Sequence, residues 1–243
     1  MKYVLIIGAK NELGLELASL YARNNYNIYL AGRAIIDLEE ESTNLEKKHK
    51  VKVVLCELDV TDYESHYEFY ESLEIKPTGV IYLAGYYPNT ALSVSKWSET
   101  FKTVEVNYLG CMSIFNIIAN QFIKDRKGFM ISISSVSGVR GRAKNYIYGS
   151  SKAALTTYMS GLRNRLDEYN VNVLTVISGY LSTINNSGLD RPNFLTSSPK
   201  KLASDIFSAQ QQNKSIIYSN SLWRIIMFII KIIPEYIFKK LKI

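Results

Sequence analysis

A tyrosine and a lysine four residues apart, in Tyr148-Gly149-Ser150-Ser151-Lys152, can share one face of a helix. A lysine cation beside a phenol favours the phenolate and is expected to draw its pKa down from about 10. A phenol tuned in this way can donate a proton to a carbonyl oxygen as hydride arrives; in reverse, it can accept one from an alcohol. The spacing alone is common. It recurs at Tyr236-Ile237-Phe238-Lys239-Lys240, with no strand-end partners, and reads there as a chance match. The first copy follows Gly128-Phe129-Met130-Ile131-Ser132-Ile133, an apolar run that ends in Ser134-Ser135. Ligands of open parallel sheets bind at carboxyl strand ends. Ser135 is therefore placed to polarise a carbonyl oxygen, the competing role being to cap a turn.

Such side chains need a scaffold that brings strand ends together. Apolar runs at 3–7, 27–31, 51–56, 79–84, 128–133, 171–177 and 215–218 alternate with helical patterns at 13–24, 34–48, 62–73, 98–124, 148–169 and 199–211. This βα rhythm predicts an α/β fold, a doubly wound Rossmann-type parallel sheet of about seven strands. A chain of 243 residues suits one such domain. We place it at 1–220, followed by an apolar, basic helical tail at 221–243. Residues 183–198, rich in Ser, Asn, Gly and Pro, break the rhythm and read as a mobile loop. Two cysteines, Cys56 and Cys111, make no disulfide framework. With His49 and His66 they show no metal-ligand cluster. The chain opens directly on a strand-like run with no signal peptide pattern, so a reducing, cytoplasmic setting is expected, with no metal.

The first strand leads into Gly8-Ala9-Lys10-Asn11-Glu12-Leu13-Gly14 and then a helix. Glycines there let a backbone approach a pyrophosphate at a helix N-terminus, although a plain strand-to-helix turn reads the same way. The second strand ends in Leu30-Ala31-Gly32-Arg33, with no acid until Asp37. An acid at that position would bind a ribose 2′-hydroxyl, whereas an arginine pairs with a 2′-phosphate. Arg33, with Lys10 as a second cation, therefore favours NADP(H) over NAD(H); the competing reading of Arg33 is a solvated loop charge. Asp59, at the third strand's end, either hydrogen-bonds an adenine edge or caps a helix starting near Thr61.

Taken together, these residues resemble the short-chain dehydrogenase/reductase family over residues 1–218. The match runs through Gly8, Gly14, Asp59, Ser135, Tyr148, Lys152 and Asn107 in Val106-Asn107-Tyr108-Leu109-Gly110. The resemblance implies an NAD(P)-dependent enzyme in which Asn107 holds a water that continues a proton relay from Lys152. It implies cofactor contacts at Gly8, Lys10, Asn11, Leu13, Gly14, Arg33, Asp59, Ala84, Gly85, Tyr148, Lys152, Gly179 and Thr183, the last beside the nicotinamide carboxamide. Four positions depart from the family pattern: Ile7 for a Thr, Glu12 for the middle glycine, Tyr82-Leu83 for Asn-Asn, and Ser178 for a Pro. The family usually pairs through the helices read here at 98–124 and 148–169, which implies a homodimer or homotetramer.

The net charge of +7 is uneven: residues 214–243 hold six basic side chains and one acid. A basic tail on a nearly neutral body suggests an anionic surface, most simply a membrane, rather than nucleic acid. Residues 222–234 are strongly apolar but shorter than the roughly 20 residues a span requires. At 100° per residue Arg224, Lys231, Glu235 and Lys242 fall near one line, subject to a break at Pro234. That pattern suits a peripheral interface anchor over 222–243. The competing reading is a helix packed on the protein or on a second subunit. The tail, Glu12 and the Asn145–Ser150 segment narrow the resemblance to reductases of polysaccharide pathways, among them the reductase component of decaprenylphosphoryl-ribose 2′-epimerase. The substrate implied is a keto-sugar on a polyprenyl phosphate or another activated carrier. Two alternatives stay open: an apolar lipid ketone of 3-ketoacyl or 3-ketosphingoid type, and a non-catalytic NADP(H)-binding partner protein motivated by the four departures.

Overall fold

A strand covered on both faces has no reason to alternate polar and apolar residues, and β1 (Tyr3–Ile7) is buried along its whole length. The computed structural model describes residues 1–183 and 192–241. It continues with β2 (Asn27–Gly32), β3 (Val53–Glu57), β4 (Gly79–Tyr82), β5 (Gly128–Ser135), β6 (Val171–Ser178), the two-residue β7 (Tyr180–Leu181) and β8 (Thr196–Ser197), and β9 (Ile216–Tyr218). Seven of these form one sheet in the order β3-β2-β1-β4-β5-β6-β9. All of its pairings are parallel. The order reverses between β1 and β4, and the crevice outside their carboxyl ends is where this topology leaves room for a ligand.

The helices are α1 (Glu12–Arg23), α2 (Glu39–His49), α3 (Ser65–Ser72), α4 (Thr90–Ser95), α5 (Trp97–Val104), α6 (Gly110–Asp125), α7 (Tyr146–Leu166), α8 (Pro199–Gln211), α9 (Ser221–Ile232) and α10 (Glu235–Phe238). Alternate residues of β1 serve opposite faces. Tyr3, Leu5 and Ile7 pack with α3, α6 and α7, whereas Val4 and Ile6 pack with α1, α2 and α8. One Rossmann-type α/β domain results, as the βα rhythm predicts.

Four local features depart from the sequence reading. The helix expected over 98–124 is interrupted by a π-helical turn, Glu105–Leu109, which carries Asn107. The segment after β2 opens with Ala34 in the left-handed region, at φ 47°, and a 3₁₀ turn at Ile35–Leu38 before α2 begins. The helix expected from residue 62 starts only at Ser65. Of the loop expected at 183–198, residues 184–191 lie outside the described residues; the remainder includes a 3₁₀ turn at Asn193–Leu195 and β8, which pairs with β7.

The tail packs on the body through one side of α9. Trp223 and Met227 are buried against Val136 and Ile177, and the Trp223 indole N–H donates to the Leu195 carbonyl at 2.9 Å. The single charged stripe expected along the tail is broken, because Pro234 separates α9 from α10 and Glu235, still exposed, is held in an ion pair with Arg140. Lys242, its last member, lies outside the described residues. No helix among the described residues is long and apolar enough to cross a membrane. A Cβ placed on Gly179 would sit 1.9 Å from the Trp223 indole nitrogen. Gly179→Ala should therefore push α9 off the body, at a cost of about 1–3 kcal/mol for overpacking. A red shift of Trp223 emission, against the constant background of exposed Trp97, checks this; an unchanged spectrum would contradict the packing.

Candidate active site

Ser135, Tyr148, Lys152 and Asn107 come from three elements and meet at the carboxyl end of the sheet. Serines 134 and 135 are the last two residues of β5, so they point to opposite faces. Ser134 Oγ donates to the Lys152 carbonyl at 3.0 Å and bonds Thr156 Oγ1 at 2.6 Å, which fastens α7 to β5. Ser135 hydrogen-bonds the Tyr148 phenol. Its Oγ also accepts from the Ser137 N–H at 3.1 Å. The turn-capping role and the site-facing position weighed from sequence thus coexist. With that N–H donating to its oxygen, the Ser135 hydroxyl keeps its own proton to donate.

Lys152 is buried, and its ammonium donates to the Ile133 carbonyl at 3.0 Å. Burial lowers its pKa to about 8. The nitrogen lies 5.8 Å from the centre of the Tyr148 ring. The expected depression of the phenol does not follow from this arrangement. Burial pushes Tyr148 up to about 12; the Ser135 bond opposes that rise and nearby Tyr87 adds to it. Desolvation outweighs the distant ammonium, so at neutral pH Tyr148 holds its proton and stands ready as an acid. Tyr87, which sequence reasoning overlooked, sets its ring edge-on to Tyr148 at 4.7 Å.

Asn107 is fully buried and acts as a clamp. Its Oδ1 accepts from the Tyr86 N–H and its Nδ2 donates to the Tyr86 carbonyl, each at 2.8 Å. The same Nδ2 reaches Ser151 Oγ at 3.2 Å. Both amide protons are thereby committed, and the second lone pair of Oδ1 remains for a relay water. The clamp holds the chain just beyond Ala84-Gly85. Tyr82, one of the departures from the family pattern, supports it from below. Its hydroxyl donates at 2.7 Å to the carbonyl of Val106, inside the π turn. The substitution that motivated a non-catalytic reading therefore has a structural use beside Asn107.

The turn after β1 has the form of a phosphate cradle. Gly8 adopts φ 80°. A Cβ there would sit 2.4 Å from the Ala84 nitrogen, so this close approach to the β4 end requires glycine. Asn11 ties the turn together, donating to the Gly8 carbonyl and accepting from the Gly14 N–H, both at 2.8 Å. The Gly14 Cα in turn lies against the Ala9 carbonyl, where a Cβ would come within 2.5 Å. Leu13 is buried in the first turn of α1, whose N-terminus opens on this loop. These features fit a dinucleotide pyrophosphate.

The adenosine side is less open than the sequence suggests. Lys10 is ion-paired with Asp37 and also donates to the Ala34 carbonyl at 3.1 Å, so it is not a free cation. Asp59 caps its own turn, accepting from the Thr61 N–H at 2.9 Å and the Thr61 hydroxyl at 2.8 Å. Arg33 is well exposed and meets Asp59 only at 3.9 Å, a contact that a phosphate can displace. Glu57, overlooked in the sequence, supports this loop by accepting from the Ala34 and Ile35 N–H groups at 2.8 and 3.1 Å. On the other side of the cleft, the Gly179 N–H donates to Ser219 Oγ at 2.8 Å. Thr183 follows β7 at the limit of the described residues.

Residues 2–192 match the family model described as short chain dehydrogenase. An uncharacterized oxidoreductase of Mycobacterium tuberculosis is 26% identical over 241 residues, covering 98% of this chain and 96% of that one. A very-long-chain 3-oxoacyl-CoA reductase of Vanderwaltozyma polyspora is 28% identical over 211 residues, or 82% of this chain and 60% of that one. Among solved structures, a short-chain dehydrogenase from Sphingobium yanoikuyae in complex with NADPH superposes with a TM-score of 0.82 at 18% identity, covering 97% of both chains.

The depressed Lys152 pKa has a consequence for stability. The folded protein binds this proton less tightly than the unfolded chain does, so Lys152 costs stability wherever it is charged in the fold. The penalty is full below pH about 8 and disappears as pH rises towards the ordinary value of 10.5. Lys152→Met should thus be more stable than the parent protein at pH 7, with the gap closing between pH 8 and 10.5. Urea melts of the two proteins across that range test it, and a gap independent of pH would refute the assignment.

Proposed function

The chain belongs to the short chain dehydrogenase family and is an NAD(P)-dependent oxidoreductase, and from that premise we propose that it reduces the ring ketone of a keto-sugar carried on a polyprenyl phosphate or a similar activated carrier. The observation that carries this reading is the position of the tail. Trp223 of α9 packs directly on Gly179, so the inner side of α9 is fixed to the loop after β6 while its apolar and basic outer side faces away from the body. A substrate whose head group reacts while its carrier stays at a bilayer surface would use that arrangement. The reading resembles the role of the reductase component of decaprenylphosphoryl-ribose 2′-epimerase in cell-surface polysaccharide synthesis. Residues 1–220 would form the catalytic domain and 221–243 the peripheral, membrane-facing tail. Two or four copies would pair through α5–α6 and α7, with exposed Trp97 and Phe101 supplying apolar surface.

The cofactor's nicotinamide supplies the hydride when bound. The turn from Gly8 through Asn11 and Leu13 to Gly14 would hold its pyrophosphate, with Ala84, Gly85, Gly179 and Thr183 bordering the nicotinamide half. Asp59, whose Oδ1 caps its turn, would offer its Oδ2 to the adenine edge. Arg33 favours a 2′-phosphate and hence NADP(H), with Lys10 contributing only if its pair with Asp37 opens. Ser135 would turn its hydroxyl proton from the Tyr148 oxygen to the substrate carbonyl and polarise it. Tyr148, protonated at neutral pH, delivers the proton that completes the alcohol. The Lys152 ammonium and a water on Asn107 Oδ1 would then relay a proton back towards Tyr148. The Lys152 pKa near 8 keeps this ammonium charged at pH 7.

A second reading, reduction of an apolar 3-ketoacyl or 3-ketosphingoid lipid, is supported by the likeness to the very-long-chain 3-oxoacyl-CoA reductase. A panel of carbonyl substrates separates the two: keto-sugar phosphates on short prenyl chains against 3-ketoacyl thioesters, with NADPH oxidation followed. Turnover of the sugar carriers is expected, and none with any of them would end the first reading. Tyr148→Phe should lower kcat by at least about 10²-fold, the ordinary scale of general-acid catalysis; retained activity would rule out its role as proton donor. Arg33→Ala should raise KM for NADPH about tenfold or more while leaving NADH nearly unchanged. An equal effect on both would refute the phosphate assignment.

A further inference from the structure

The two sides of α9 have different fates. Its inner side, led by Trp223 and Met227, is buried on the body. Its outer side carries Ile225, Phe228, Ile229 and Ile232, which are 52% to 66% exposed. The spacing of Ile225, Ile229 and Ile232 keeps them on one helical face. Exposed Tyr236 and Ile237 of α10 extend the apolar surface beyond Pro234. A contiguous patch of this kind on a helix edge marks a contact surface.

Charge identifies the occupant. Arg224 and Lys231 are exposed along one edge of the outer side of α9, where with Ile225 and Phe228 they line a groove beside α8, and Lys239 and Lys240 follow α10. None of the four takes part in an ion pair among the described residues. The one acid of the tail, Glu235, is neutralised by Arg140 at 2.8 Å. Arg140 does more than that. Its guanidinium donates to the carbonyls of Ile230 at 2.6 Å and Ile233 at 2.5 Å and stacks on the Phe238 ring at 3.7 Å. It caps the end of α9 and holds α10 at a fixed angle, from a position two residues after the Val136–Gly138 turn. The outer surface is thus apolar, cationic and pre-organised. A helix of twelve residues extends only ~18 Å, against a hydrocarbon core of ~30 Å. It can lie in an interface and cannot cross it.

We propose that this face of α9–α10, latched by Arg140, docks on the surface of an anionic phospholipid bilayer, with the apolar side chains at the acyl boundary and the four cations among the head groups. The proposal deepens the carrier-substrate reading by naming the surface, the lipid charge and the latch; its lipid readout does not depend on turnover. The test is co-sedimentation of the full chain with phosphatidylglycerol-containing vesicles and with pure phosphatidylcholine vesicles. Binding should be at least about tenfold stronger to the anionic vesicles and should weaken with salt. The double variant Ile225→Asp/Ile229→Asp, at exposed positions away from the site, should lose binding while reducing a soluble test ketone at the parental rate. Equal binding to both vesicle types, or to neither, overturns the proposal. So does a double variant that still binds vesicles but changes from dimer to monomer by light scattering, which would assign the face to a second copy. Vesicle binding without turnover of prenyl-linked keto-sugars would sink the substrate reading and leave the docking surface standing.

Discussion

The site is organised around a buried ammonium. Lys152 sits under the end of β5 with the Ile133 carbonyl as its hydrogen-bond acceptor, and desolvation lowers its pKa to about 8. A charge so placed is costly unless its surroundings are rigid and polar. The neighbourhood meets that need. Ser134 binds the Lys152 backbone and Thr156, Asn107 binds Ser151 and Tyr86, and the π turn brings Asn107 within reach. Moving any of these would change where the ammonium sits relative to Tyr148. The same desolvation that weakens Lys152 as a cation raises Tyr148 to about 12, so at neutral pH the phenol keeps its proton, as a weaker acid than a free tyrosine.

The departures from the family pattern look different in three dimensions. Tyr82 stands where a small amide is usual. Its hydroxyl answers the Val106 carbonyl in the π turn, and the lack of a side chain on Gly110 makes room, since a Cβ there would meet Tyr82 Oη at 2.8 Å. Ile7 is simply core, buried between the two layers, and its carbonyl accepts from the Leu83 N–H at 2.8 Å. Ser178 bonds the Gly179 carbonyl at 3.2 Å. Glu12 is the first residue of α1, where an acid suits the helix dipole but opposes an incoming pyrophosphate. Three departures are thus absorbed by local structure, and the fourth acts on the cofactor loop.

The tail belongs to the catalytic unit on one side and to its surroundings on the other. Trp223 closes over Gly179, and Tyr180 meets the Trp223 ring edge-on at 5.3 Å. The loop that follows Ser135 and the loop after β6 are both tied to α9, the first through Arg140.

Much of this protein was legible in its sequence. Continuous apolar runs mark strands buried on both faces, and the rhythm of runs and helical patterns yields the seven parallel strands. Gly8, Ser135, Tyr148 and Lys152 could be singled out as candidates because strand ends and a four-residue helical step are local properties. The rest depended on residues far apart in the chain. Lys10 meets Asp37, Arg140 meets Glu235, and Tyr82 meets Val106, none of which a spacing can reveal. The pKa directions of Tyr148 and Lys152 follow from burial, a property of the packed state. Local sequence determined the chemistry and the elements that carry it. Tertiary packing alone decided which charges stay free, which phenol keeps its proton and which side of the last helix faces outward, because desolvation and long-range pairing exist only once the chain has folded.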